Sequence, residues 1–105
     1  MSQTPVFVPL MTDYYTAVAS GSKRVEYRVV GRGWNRQNCA AGRRIRFSCG
    51  YGRTRPRLPG TITGYVEKPL RDLPRDIREA MRTCNGDLSP DTLIACIAFK
   101  LDADD

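Results

Sequence analysis

The segment GSKRVEYRV, residues 21–29, decides how the first half of this chain folds. Gly21 follows an apolar stripe at helical spacing, and glycine suits the left-handed conformation that ends a helix. The pattern then alternates, with three apolar side chains on one face of a strand and three charged side chains on the other. This change of period predicts a helix over residues 13–20, a half-buried strand over residues 24–29, and a core position for Tyr27.

Other stretches of the chain predict four more strands and a second main helix. Alternating patterns or short apolar runs mark the strands, whereas apolar residues spaced by three and four positions mark the helix. Pro74 suits the first turn of that helix. The predicted strands cover residues 6–10, 44–48, 61–66 and 93–101, and the predicted helix covers residues 74–83.

Single residues and short clusters predict the remaining features. Thr12 is expected to cap the first helix, and Gly64 indicates a β-bulge inside its strand. Residues 36–41 are expected to form a short helix, and the glycines and prolines of residues 50–59 predict a flexible basic loop. The expected fold is a single α+β domain over residues 1–105, built on a small β-barrel of five or six strands with two main helices.

Length and composition indicate the class of protein. A chain of 105 residues suits one domain, and 41% hydrophobic with 27% charged residues predicts that it folds. No apolar stretch approaches the roughly 20 residues needed to cross a bilayer. Residues 1–10 also lack the pattern of a secretory leader. We therefore expect a cytoplasmic protein with no membrane partner.

The cysteines and the lack of histidine exclude several kinds of site. In a reducing compartment the four cysteines are expected to be free thiols. The two closest cysteines are ten residues apart and the sequence has no histidine, so we expect no metal site. Nucleophiles activated by histidine are excluded for the same reason. No cofactor is expected, and any proton transfer would use lysine, carboxylate, tyrosine or water.

Residues 23–57 hold most of the positive charge of the chain. They contain eleven cations, ten of them arginine, and one acid, for a net charge of +10. Residues 67–105 contain six cations and nine acids, for a net charge of −3. Arginine suits bidentate contacts to phosphate and stacks on bases. The expected partner is RNA or a nucleotide, and the alternative is a solvated basic face without a ligand.

Aromatic residues lie between these arginines, as in surfaces that stack nucleic-acid bases. Trp34 and Tyr51 are the stacking candidates, because each follows or lies between glycines that let a base approach. The residues expected to bind nucleic acid are Lys23, Arg28, Trp34, Arg43, Arg44, Arg46, Tyr51, Arg53, Arg55 and Arg57.

Residues 21–28 fit the pattern G-x-K-x-x-E-x-R. This pattern resembles the signature of the ASCH domain family, a branch of the PUA-like superfamily, in its small stand-alone bacterial or phage type. The order of elements, Trp34, and Gly42 ahead of a strand extend the resemblance over the whole chain. The resemblance implies a PUA-like small β-barrel with a cleft lined by the signature residues, and a role in binding RNA or modified nucleosides. Some members resemble enzymes, including an amidohydrolase of acetylated cytidine and a ribonuclease.

Three functions are therefore open. In the first, RNA or a nucleotide binds in a cleft where Lys23, Glu26 and Arg28 contact the ligand. In the second, the protein is a metal-independent hydrolase of RNA or a modified nucleobase, with Lys23 as base or electrostatic stabiliser and Glu26 as acid or base. Glu26 stands where the amidohydrolase-type signature has the threonine proposed as nucleophile, so that nucleophile is absent here. In the third, the basic face docks on an acidic protein partner.

Overall fold

The computed structural model describes residues 4–50 and 56–102, and within them it has an α+β architecture with five strands and two α-helices. The predicted fold class is therefore confirmed at this level. The elements in chain order are β1 (Val6–Leu10), α1 (Thr12–Ser20), β2 (Val25–Val29), β3 (Arg44–Cys49), β4 (Arg57–Pro69), a 3-10 turn (Leu70–Asp72), α2 (Arg75–Asn85) and β5 (Leu93–Leu101).

The five strands form one mixed sheet in the order β1-β3-β4-β5-β2. Strands β1 and β3 are parallel, and the other neighbouring pairs are antiparallel. The sheet curls into a half-barrel. Strands β1 and β2 are consequently its two edges, which decides where the candidate site lies.

Each face of the sheet has its own hydrophobic cluster. On the first face, which we call the α1 face, Val18 of α1 packs among β-strand side chains such as Phe47 and Ile97. On the second face, the α2 face, Met81 of α2 packs with Cys96. Tyr27 is half-buried against this second cluster, which confirms its predicted core position. The alternation of β2 therefore sends its apolar residues to the α2 face and its charged residues to the α1 face.

Several local predictions are confirmed and others are wrong. Gly21 adopts φ 86° at the end of α1, and the strand register shifts beside Gly64, as a bulge requires. Thr12 begins α1 but does not cap it, because Met11 occupies that position without a side-chain hydrogen bond. The predicted short helix over residues 36–41 is absent. The Asn35 side chain instead bonds backbone groups on both sides of it and holds a series of turns.

Strand β4 is longer than predicted, because residues 57–59 belong to it and not to a basic loop. Pro59 has no N–H to donate, but its carbonyl accepts a hydrogen bond from the Asp102 amide at 3.0 Å. Helix α2 also extends two residues beyond its predicted end, and Pro74 caps it instead of lying in its first turn. The rest of the predicted loop, residues 50–56, lies mostly outside the described residues.

We predict that Gly60→Ala destabilises the fold. A Cβ at this position would lie 2.6 Å from the Lys100 carbonyl oxygen, which belongs to backbone and cannot rotate away. We expect a loss of about 1–3 kcal/mol in the free energy of unfolding, as for other overpacked sites. Urea denaturation measures this loss. Gly33→Ala is the control, because a Cβ there meets nothing within 4 Å; equal midpoints for the two variants would contradict the prediction.

Candidate functional site

A cleft of about 580 Å³ follows the free edge of β2. The end of β1 forms one side through residues 9–11, and α1 contributes Tyr14. Helix α2 forms the opposite wall, where Met81 and Cys84 line the cleft. Both the volume and the mixture of an apolar wall with a few polar groups are typical of small-ligand sites in proteins.

Glu26 is the most buried charged residue that the structure describes, with 5% of its surface exposed. Its Oε1 lies 3.2 Å from the Lys23 ammonium and accepts a hydrogen bond from the Tyr27 amide at 3.0 Å. Its Oε2 accepts two hydrogen bonds from the Arg28 guanidinium, at 3.1 and 3.3 Å. A carboxylate can stay charged at such a position only if it is compensated in this way. Because two cations surround one acid, the cluster carries a net charge of +1.

Lys23 is held in place from several sides. Its amide donates to the Ala17 carbonyl at 3.0 Å, which fixes the backbone between α1 and β2. Its ammonium lies 5.7 Å from the ring centre of Tyr14 and 5.5 Å from that of Tyr27, within the range of cation–π attraction. Its side chain keeps 18% of its surface exposed. Since an ammonium has three donors, Lys23 can bind Glu26 and still donate to a ligand in the cleft.

Arg28 joins the two edges of the half-barrel. Its Nη2 donates to the Pro9 carbonyl of β1 at 3.1 Å while the same guanidinium binds Glu26. The guanidinium carbon also lies 4.7 Å from the ring centre of Trp34. Trp34 is half-buried, packs against the cluster on the α1 face, and does not line the cleft. Its clear contact is thus with Arg28, and base stacking by Trp34 stays a prediction.

Among the described residues, the other arginines of the basic segment, residues 23–57, do not line the cleft. Arg43 donates to the carbonyls of Asn38 and Thr4, at 2.7 and 2.9 Å, so its guanidinium ties chain segments together. Arg44, Arg46 and Arg57 belong to β3 and β4, and none of them lines the cleft. The other three residues predicted to bind nucleic acid lie outside the described residues, namely Tyr51, Arg53 and Arg55.

The sequence prediction missed the part of the site that the two helices contribute. Apolar spacing predicts helix α2, but it does not show that Cys84 near the helix end is exposed and lines the cleft. Tyr14 lies in the predicted helix of residues 13–20, and only the structure shows that it faces Lys23. Burial raises the pKa of Tyr14, and the neighbouring Cys84 raises it further, whereas burial is the main cause of the raised pKa of Tyr27. Both tyrosines are therefore protonated at neutral pH and can donate a hydrogen bond.

No family model, curated protein or solved structure matches this chain. The function of the site is therefore argued from its own chemistry. Among the helices of residues 4–50 and 56–102, none has the length and apolar character that crossing a membrane requires.

The contacts of Glu26 indicate what the cleft can do. Both of its oxygens are engaged by neighbouring donors, so the carboxylate positions Lys23 and Arg28 and is poorly placed to accept a proton from a ligand. The cations have spare donors for an anion or a carbonyl oxygen. The apolar wall of α2 suits a flat, uncharged group. The arrangement therefore fits a ligand that has an anionic part and a planar part.

We predict that Glu26→Gln strongly destabilises the protein, because it leaves two cations close together without their shared counter-charge. The expected loss in the free energy of unfolding is about 2–4 kcal/mol, slightly below that for a fully buried pair. Glu79→Gln is the matched control, since the Arg75–Glu79 ion pair is exposed and should contribute under about 0.5 kcal/mol. Urea denaturation of both variants tests this; a similar small loss in both would show that Glu26 is not structurally required.

We also predict that Cys84 reacts first with thiol reagents. It is exposed and Cys49 is half-buried, whereas Cys39 and Cys96 are buried and burial raises the pKa of both thiols. Because the thiolate is the reactive form, these two cysteines should stay protected in the folded protein. Ellman's reagent at neutral pH should give a fast phase that Cys84→Ser removes. Persistence of that phase in the variant would contradict the placement of Cys84.

Proposed function

We propose that the protein binds RNA or a nucleotide, and that the cleft takes one nucleotide unit. The observation that carries this proposal is the buried carboxylate of Glu26, which holds two cations at one end of a cleft with an apolar wall. In this arrangement Lys23 and Arg28 contact the phosphate or a carbonyl oxygen of the base. The base then packs against the α2 wall near Met81.

The charge and the rings of the cleft both support a nucleotide. The net charge of +1 at the Glu26 cluster favours an anion over a neutral ligand. Tyr14 and Tyr27, protonated at neutral pH, offer ring surface and a hydroxyl that can donate to the ligand. A purely apolar ligand would leave the cations without a partner, which is costly in a partly buried site.

We further propose that the chain is an ASCH-type domain with a PUA-like half-barrel. Two observations support this. Of the signature residues, Lys23 and Arg28 both form ion pairs with Glu26, and all three line one cleft. The mixed, curled five-stranded sheet is also consistent with a small barrel-like fold.

Binding is favoured over the alternative of metal-independent hydrolysis because of the state of Glu26. An acid or base needs a free oxygen beside the ligand, and the oxygens of Glu26 are engaged by Lys23, Arg28 and the Tyr27 amide. Hydrolysis would therefore depend on Lys23, the two tyrosines of the cleft or water. Incubation of RNA with the wild type and with Lys23→Ala in chelator distinguishes the two functions, since product from the wild type alone would favour the hydrolase.

We predict that nucleoside monophosphates bind at low salt and that Lys23→Ala weakens this binding about tenfold or more, as expected for the loss of a charge-assisted hydrogen bond. Titration calorimetry with AMP, CMP, GMP and UMP measures the affinity. The matching nucleosides should bind more weakly because they lack the phosphate.

The control is Lys68→Ala, which removes the same charge from an exposed position outside the cleft. Its affinity should equal that of the wild type. Failure of all four monophosphates to bind, or equal loss in the two variants, would overturn the cleft as a nucleotide site.

A further inference from the structure

The sheet has a second basic surface that is separate from the cleft. On the α2 face, the second hydrophobic cluster is built from residues of other elements. The α2-face side chains of strands β1, β3 and β4 therefore lie outside that cluster. Strand register places neighbouring side chains here in rows, with Phe7 beside Arg46 and Arg44 beside Thr61. We call this surface the open basic face and define it by Phe7, Arg44, Arg46, Arg57 and Lys100.

Positive charge dominates the open basic face. Among the described residues it has four cations and one neighbouring carboxylate, Asp102, which pairs with Arg44 and whose pKa that hydrogen bond lowers. Arg46 is exposed and makes no hydrogen bond or ion pair with any residue that the structure describes. Lys100 is exposed in the strand next to β4. The guanidinium of Arg46 therefore keeps its donors available for an anionic ligand.

An aromatic ring stands among these cations. Phe7 is 40% exposed, and the guanidinium of Arg57 lies 5.4 Å from its ring centre. Arg57 also donates to the Ser48 hydroxyl, so its position over the ring is fixed from a second side. Cations around an aromatic ring are an arrangement that proteins use to bind single-stranded nucleic acid, in which bases are free to stack.

The open basic face and the cleft meet at one edge strand. Phe7 points to the open basic face, while Leu10 of the same strand lines the cleft. Three residues of a strand span about 10 Å. A nucleic-acid strand with one nucleotide in the cleft can therefore cross β1 and continue over Phe7 and Arg46. A double helix could not do so, because its bases are paired and stacked.

We propose that the open basic face binds the neighbouring nucleotides of a single-stranded nucleic acid, through a phosphate contact at Arg46 and a base stacked on Phe7. The inference rests on the proposed function of the cleft and names its ligand as an oligonucleotide instead of a free mononucleotide. An acidic protein is the competing partner, and competition by a polyanion without bases tests for it.

The test compares Arg46→Gln with Arg75→Gln. Both variants remove one exposed arginine charge, but Arg75 lies on α2, away from the open basic face. Fluorescence anisotropy measures the binding of labelled single-stranded oligouridylate, across a series of salt concentrations. Phe7→Ser is the second variant, and it tests stacking without a change of charge.

If the proposal is right, oligouridylate binds more tightly than UMP. Arg46→Gln then weakens the binding of oligouridylate several-fold without changing the affinity for UMP. The slope of log affinity against log salt should fall by about 0.7, the value for one phosphate contact in a single strand. Arg75→Gln should bind oligouridylate as the wild type does, and Phe7→Ser should weaken oligouridylate binding at every salt concentration. Lys23→Ala should weaken the binding of both oligouridylate and UMP, because Lys23 lies in the cleft.

Three results would overturn the proposal. Equal behaviour of Arg46→Gln and Arg75→Gln would remove the open basic face from binding. Tighter binding of a duplex than of the single strand would exclude stacking on Phe7. Displacement of oligouridylate by polyglutamate at equal charge would indicate a surface for acidic proteins. Failure of the cleft is distinguishable from all three, since it abolishes UMP binding while leaving the effect of Arg46→Gln on the oligomer.

Discussion

A carboxylate that loses contact with water has to be compensated by its neighbours, and in this protein that carboxylate is Glu26. Its two oxygens bring Lys23 and Arg28 together, and Arg28 continues to the Pro9 carbonyl on the opposite edge of the half-barrel. The same few bonds thus close the gap between the two edge strands and set the charge of the cleft. Under the proposed function, stability and ligand binding depend on the same three side chains, so changes at Glu26 are expected to affect both.

The edge position of β2 explains why a cleft forms there. A strand inside the sheet has neighbours on both sides, but β2 pairs only with β5 and its other side is open. Alternation along β2 sends Tyr27 towards α2 and Glu26 towards α1, so the two helices contribute different walls to one cleft. Met81 and Tyr14, which are distant in the chain, meet there for this reason.

The arginines of the basic segment have different roles in the structure, and their spacing in the sequence does not show which arginine has which role. Arg43 donates to two backbone carbonyls and Arg28 to a carboxylate and a carbonyl, so both hold the fold together. Arg46 has no such bonds among the residues that the structure describes and faces solvent. Net charge alone therefore overstates the number of cations available to a ligand. The partners of each guanidinium show which arginines hold the fold together, and Arg28 does so while it keeps donors for a ligand in the cleft.

Local pattern in the sequence determined the α+β class, the five strands, the helix end at Gly21 and the bulge at Gly64, because side-chain period and glycine conformation act over a few residues. The contact of Lys23, Glu26 and Arg28 also lies within one short segment. Only the tertiary structure decided that the sheet curls as a half-barrel, that α2 supplies a wall of the cleft, and that Arg44 and Arg46 lie on another face. These features depend on which strands pair and on which faces of the sheet the helices cover. Strand pairing brings together residues that are far apart in the chain, and a local pattern of side chains cannot predict such contacts.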